Sequence, residues 1–153
     1  MKAGKDNILN IMFFLTPKGD VAYLYDTDTL RQALEKMENH RYSAIPIIGE
    51  KSGKYIGTVT EGDILWYIKE TGDFSLYATE DVWLMEVKRS RDNQPVNANS
   101  DMEEMMEKVM NQNFVPVTDD NGRFIGIITR KDIILYLKAK MSAEEDALDT
   151  LKT

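Results

Sequence analysis

Apolar and polar positions follow two periods along this chain, and the same succession of periods occurs twice. Leu30, Ala33, Leu34 and Met37 fall at i, i+3, i+4 and i+7, which predicts one buried face of an amphipathic helix. Met102, Met105, Met106 and Val109 repeat that spacing. Each helix is preceded by a short apolar segment (Ile8 to Phe14; Val82 to Val87) and a short strand (Val21 to Tyr25; Pro95 to Asn97). Each is followed by two strands joined through a turn containing Gly53 or Gly122. The last strand runs into a closing helix, Glu61 to Lys69 or Arg130 to Met141. The predicted order is strand, helix, strand, strand, helix, twice over.

The two halves also match residue by residue. Pro46 corresponds to Pro116, Gly57 to Gly126, Thr60 to Thr129 and Asp63 to Asp132. Ile11-Met12 corresponds to Leu84-Met85. The copies lie roughly 70 residues apart, so nearly the whole chain is a tandem repeat. We divide it into a first repeat at 1–73, a second at 74–141 and an acidic tail at 142–153, with 71–80 linking the copies. Ser142-Ala-Glu-Glu145 fits either the cap of a short final helix or a frayed terminus. The predicted fold class is α+β, two β-α-β-β-α units packed through their sheets about an approximate two-fold. Such packing creates two equivalent clefts, and clefts of this kind are the usual ligand sites.

Composition narrows the chemistry. The 153 residues include 19 Lys and Arg against 26 Asp and Glu, a net charge of −7. That balance argues against nucleic acid as a partner. There is no cysteine and one histidine, His40, so disulfides, thiolate zinc sites and multi-histidine metal sites are excluded and no metal is expected. No apolar run approaches the roughly 18 residues of a membrane span. No signal-peptide pattern opens the chain. The expectation is a cytoplasmic protein. No activated nucleophile or carboxylate pair is visible, so it is not expected to be an enzyme.

The candidate chemistry lies where a strand turns into each closing helix. Thr60-Glu-Gly-Asp63 and Thr129-Arg-Lys-Asp132 have the spacing of a capping box. The same residues suit a ribose phosphate. Free amides at a helix N-terminus attract the phosphate, and a carboxylate accepts from two vicinal hydroxyls. Both readings remain open from local sequence. Arg130 and Lys131 favour an anion in the second copy, whereas Glu61 opposes one in the first. Lys88-Arg89-Ser90-Arg91 is either an exposed loop or a second cluster reaching an anionic ligand. Gly57 and Gly126 allow a close backbone approach or a bulge. Tyr42-Ser43-Ala44-Ile45-Pro46 opens a strand with small residues, either an ordinary edge or a slot for a flat base.

At these residues the chain resembles a tandem pair of CBS domains, the cystathionine β-synthase type regulatory unit. The resemblance covers roughly residues 7–140. It is carried by residues 40–48 (HRYSAIPII), 57–63 (GTVTEGD) and 126–132 (GIITRKD). It implies a disc-like module with two nucleotide clefts, each mixing residues of both copies. Related modules bind AMP, ADP, ATP, S-adenosylmethionine or cyclic dinucleotides. Carried over, one cleft combines Thr129, Arg130, Lys131 and Asp132 with Val21, Ala22, Tyr42, Ser43, Ala44 and Pro46. The other combines Thr60 and Asp63 with Asn113, Phe114, Val115 and Pro116. The second departs from the family pattern, because Phe114 stands where the first copy has Ala44 and Asn113 stands for Ser43. It is expected to be weak or empty.

The leading expectation is a regulatory module that senses an adenine nucleotide (AMP, ADP or ATP) and signals to an unknown effector protein. Its alternatives are a ligand-free structural dimerisation module and a sensor of S-adenosylmethionine or cyclic di-AMP. The resemblance also implies a homodimer. Trp66, Tyr67 and Tyr136 on the closing helices are either its interface or packing within the module.

Overall fold

A computed structural model describes residues 10–73 and 75–152. Ile8 and Leu9 of the first apolar segment lie outside the described residues. The secondary structure is two copies of one pattern. The first copy comprises strand β1 (Thr16–Pro17), β2 (Leu24–Tyr25), helix α1 (Leu30–His40), β3 (Ala44–Ile48), β4 (Tyr55–Thr60) and α2 (Glu61–Thr71). The second comprises β5 (Val96–Asn97), α3 (Met102–Asn111), β6 (Phe114–Thr118), β7 (Phe124–Thr129) and α4 (Arg130–Lys152).

The helices start where side chains satisfy their free amides. Thr29 accepts from the Gln32 amide at 3.2 Å and Gln32 Oε1 accepts from the Thr29 amide at 2.8 Å, a closed capping box. Asp101 accepts from the Glu104 amide at the start of α3. Helix α2 ends at Gly72, which takes φ 73°, a left-handed cap that glycine adopts without a Cβ clash. The amphipathic spacing is realised as expected: Leu30, Ala33 and Met37 of α1 are buried, as are Met105 and Val109 of α3.

In one sheet β3 lies between a parallel β2 and an antiparallel β4; in the other the order is β1-β7-β6-β5. The expected strands at Val21–Tyr25 and Pro95–Asn97 shrink to two residues each. Pro95 has no N–H to give to a ladder, and Val21 and Ala22 leave the sheet to wall a cleft. The tail forms neither a separate short helix nor a frayed end, because α4 continues without a break to Lys152.

The halves meet through their sheets. Phe124 donates its amide to the Gly53 carbonyl at 2.9 Å, and Tyr55 donates to the Gly122 carbonyl at 3.2 Å. These are reciprocal bonds between the two turns, as an approximate two-fold requires. Val21, Ile48 and Phe124 form the buried cluster between them.

Sequence repeat and packing unit differ in one respect. The opening turn Ile11–Phe14 packs into the core of the second copy, with Val96, Met105 and Ile128. Leu84 and Val87, which open the second copy, pack into the core of the first, with Leu24, Leu30 and Ile45. Strand β1 follows the same exchange and pairs antiparallel to β7, Thr16 against Ile127 and Pro17 against Gly126. Each core is therefore completed by the other half of the chain.

Candidate nucleotide clefts

The exchange determines what lies beside each Thr-x-x-Asp. Gly126 faces the Thr16 carbonyl so closely that an added Cβ would collide with it. Gly57, its counterpart, faces Asp92 in the same way. The two glycines serve the expected close approach, one to a strand and one to a side chain. The Asp92 carboxylate stands where β1 stands in the other half, accepting the Thr58 amide at 2.9 Å.

Residues 88–93 are consequently drawn into the cleft expected from Thr60 and Asp63. Asp63 is buried. Its Oδ2 accepts from the Thr60 amide, and its Oδ1 accepts from both the amide and the hydroxyl of Ser90, each at 3.0 Å. Arg89 donates to Asp92 at 2.8 Å. Asn93 donates to the Phe114 carbonyl at 3.0 Å, and its own carbonyl accepts the Tyr55 hydroxyl at 2.7 Å. Burial alone would raise the Asp92 carboxyl, but the Arg89 and Thr58 hydrogen bonds outweigh it and hold it below its ordinary value. The same pairing with Asp92 raises Arg89. Burial pushes the Tyr55 phenol well above its usual range. Arg89 and Ser90 of the basic cluster are thus tied into the chain itself, while Lys88 and Arg91 are exposed, and a hollow of about 290 Å³ remains, walled by Asp63, Trp66, Tyr67, Glu70, Glu86, Lys88 and Ser90.

The other cleft is open. A hollow of about 260 Å³ is lined by Val21, Ala22, Tyr42, Ser43, Ala44, Pro46 and Thr129, the residues expected there. Arg41 and Ile127 also line it. Arg41 takes φ 57°, a left-handed conformation rare outside glycine, to turn the chain from α1 into β3. No sequence pattern marked it. Asn113 and Phe114, assigned from sequence to the other cleft, line this one. The hollow beside Asp63 includes neither of them. Val115 and Pro116 are buried, Val115 in the core of the second half.

The N-terminal turn of α4 borders this cleft through Thr129, which accepts the Asp132 amide at 3.1 Å. Arg130, Lys131 and Asp132 lie outside its lining. The Arg130 guanidinium points away and donates to the Val109 carbonyl at 2.8 Å, near the end of α3. Lys131 is exposed. Asp132 is half-buried, and its carboxylate makes no hydrogen bond or ion pair with any described residue. A second hollow of about 420 Å³ shares Val21, Ala22 and Tyr42 and adds Lys18, Lys36 and His40. Among the described residues no group of three or more His, Cys, Asp or Glu side chains is placed to hold a metal ion. No helix among them is long and apolar enough to cross a membrane.

Comparison with known proteins agrees with this architecture. The crystal structure of CbpB in complex with c-di-AMP is 26% identical, with a TM-score of 0.80, over 92% of this chain and 91% of that one. A CBS domain protein from Streptococcus pneumoniae is 29% identical, with a TM-score of 0.75, over 84% of this chain and 86% of that one. Uncharacterized protein MJ1225 of Methanocaldococcus jannaschii is 27% identical over 82% of this chain and 48% of its own length. The inosine-5'-monophosphate dehydrogenase of the same organism is 29% identical over 82% of this chain and 23% of its own. The chain thus spans half or less of the length of these two curated relatives. The CBS domain profile matches twice, at residues 14–70 and 86–139. Two matched units, each holding its Thr-x-x-Asp at a strand-to-helix turn, establish that the chain belongs to the CBS domain family, as a CBS pair.

Proposed function

We propose that this CBS pair is a regulatory module that binds one adenine nucleotide in the cleft lined by Val21, Ala22, Tyr42, Ser43, Ala44, Pro46 and Thr129. AMP, ADP and ATP are the leading ligands. The small residues of β3 receive the base. The Asp132 carboxylate accepts from the ribose hydroxyls, and Thr129, Lys131 and the first amides of α4 take the phosphate. Arg130 is not assigned to the ligand, because its guanidinium already holds the Val109 carbonyl. The observation that carries this reading is an asymmetry. Asp63 has its hydrogen bonds supplied by Thr60 and Ser90, while the carboxylate of Asp132 has no partner among the described residues. The module signals to a separate effector protein in the cytoplasm and performs no catalysis of its own.

A second reading is favoured by one relative. CbpB, 26% identical, is described in complex with c-di-AMP. Here the cleft is continued by the larger hollow that shares Val21, Ala22 and Tyr42, which gives room for a dinucleotide.

The test is thermal unfolding after removal of co-purified nucleotide, against AMP, ADP, ATP, S-adenosylmethionine and cyclic di-AMP. Binding to the folded state stabilises it by RT ln(1 + [L]/Kd), about 2.7 kcal/mol at one hundred times Kd. A shift with one ligand that Asp132→Ala abolishes supports the site. A shift that survives Asp132→Ala sinks it. No shift with any ligand leaves the structural dimerisation module as the better account.

A further inference from the structure

The hollow of about 420 Å³ beside the open cleft is walled by the turn after β1 and by Lys36 and His40 of α1. Two ammonium groups gather there around one ring. Lys18 Nζ lies over Tyr23 at 5.2 Å from the ring centre, and Lys36 Nζ lies over it at 5.7 Å. Lys36 also donates to the Tyr23 carbonyl at 2.8 Å. Both lysines are half-buried. Tyr23 is held in place by Tyr25, with ring centres 5.6 Å apart, and by Phe124 of the other half at 6.3 Å.

This concentration of positive charge has no counter-ion in the fold. The chain carries 26 Asp and Glu against 19 Lys and Arg, so carboxylates are in excess. Yet among the described residues neither Lys18 nor Lys36 forms an ion pair; the pairs that form join Arg31 to Glu35 and Glu80, and Arg89 to Asp92. Asp20 is the one acidic residue lining the hollow, and it pairs with neither lysine. A ring face attracts a cation but carries no net charge. Two like charges gathered at one place and partly withdrawn from water repel one another, and an anion between them offsets that cost.

We propose that this hollow is an anion site that takes a phosphate group on Lys18 and Lys36. Phosphate oxygens accept from both ammonium groups, and His40, stacked on Tyr42 at 5.5 Å, walls the hollow beside them. The place differs from the start of α4. Thr129 lines the open cleft and not this hollow, and the two share only Val21, Ala22 and Tyr42. A phosphate here is either a free anion or the second phosphate of a ligand that reaches out of the open cleft. The recognition is the same for both sources, and it holds whether or not a nucleotide fills that cleft.

The test is an NMR titration of the nucleotide-free full chain with inorganic phosphate, at an ionic strength held constant with chloride. The amide signals of residues 18–23, 36 and 40 should move. Lys18→Glu should weaken this response at least tenfold, about the loss expected for a charge-assisted bond. Lys18 suits the test because the Tyr23 ring is what its ammonium touches. Lys36→Arg, which keeps the charge, should retain the response. No response at these signals overturns the proposal, as does one confined to residues 129–132 or one that Lys18→Glu leaves intact. Repeating the titration with saturating AMP or cyclic di-AMP separates the sources. A response that persists beside both marks a free anion, and one that cyclic di-AMP alone removes marks a spanning ligand. A response that AMP also removes places the phosphate in the open cleft and overturns the proposal. If neither nucleotide binds, the nucleotide reading fails while the phosphate response stands.

Discussion

Ser90 donates both its backbone N–H and its hydroxyl to one oxygen of Asp63, each at 3.0 Å. Among the described residues there is no such donor for Asp132. Two aspartates that are equivalent in the sequence repeat therefore have different roles. One is a structural hub and the other is a carboxylate with free acceptor positions.

Asp63→Ala should destabilise the fold by about 3 kcal/mol, because it leaves the Thr60 amide and both Ser90 donors without their acceptor. Asp132→Ala should cost under about 1 kcal/mol, because that carboxylate bonds no described residue. Urea unfolding of the two variants checks this. Equal losses would mean that the halves are not distinguished by Ser90.

Ala44→Leu should abolish any nucleotide-dependent rise in melting temperature while the ligand-free protein still unfolds cooperatively. Ala44 is half-buried in the wall of the open cleft, and a larger side chain there occupies the space left for the base. A ligand-induced shift equal to that of the parent would place the base elsewhere.

Gly126→Ala should be costlier than Gly57→Ala. The new methyl at 126 meets the Thr16 carbonyl and the Pro17 backbone, which are held in the β1–β7 ladder. At 57 it meets the side chains of Asp92 and Arg89, which can rotate away at the expense of their hydrogen bonds. Losses of about 3 and about 2 kcal/mol are the expected scale for such overpacking. Calorimetric unfolding would show the order, and a reversed order would contradict the difference between backbone and side chain.

Stability should fall in acid partly through Asp92. Its carboxyl is held below its ordinary value in the folded state by Arg89 and Thr58. Its contribution is therefore complete above the unfolded value of about 4 and is lost as pH falls through the lower folded value. At the alkaline end Tyr55 acts in the opposite sense. Its raised folded value keeps its contribution intact up to about pH 10, beyond which the unfolded chain ionises first and stability declines. Asp92→Asn should flatten the acid limb and Tyr55→Phe the alkaline limb of a stability–pH curve. Unchanged limbs would remove these groups from the linkage.

Phe14→Ala should destabilise by about 3–4 kcal/mol although the residue lies near the start of the chain. Its ring sits edge-on to Tyr136, centroids 5.2 Å apart, in the core of the other half. Amide exchange should show lost protection in β6 and β7 as well as near the substitution. Lost protection confined to the first half would contradict the exchange of opening turns.

Through the family resemblance the sequence pointed to Val21, Ala22, Tyr42, Ser43, Ala44, Pro46 and Thr129 of the open cleft, but not to Arg41 or Ile127. By itself it determined the repeat, its element order and the amphipathic faces of α1 and α3. These follow from local spacing: a helical face and a Thr-x-x-Asp turn are written within a few consecutive residues. Tertiary structure alone decided the rest. Periodicity within Ile11–Phe14 states that the segment is apolar, but not which core receives it. The basic run at 88–91 reads as a ligand arm or a loop until Ser90 is seen bonded to Asp63 of α2 and Asp92 to Thr58 of β4. Phe114 changes clefts because the start of β6 borders the same hollow as the start of β3. Arg130 turns out of the open cleft because the Val109 carbonyl near the end of α3 lies within its reach. In each case the deciding partner is distant in sequence. Identical local motifs acquire different roles when the chain packs unlike segments against them.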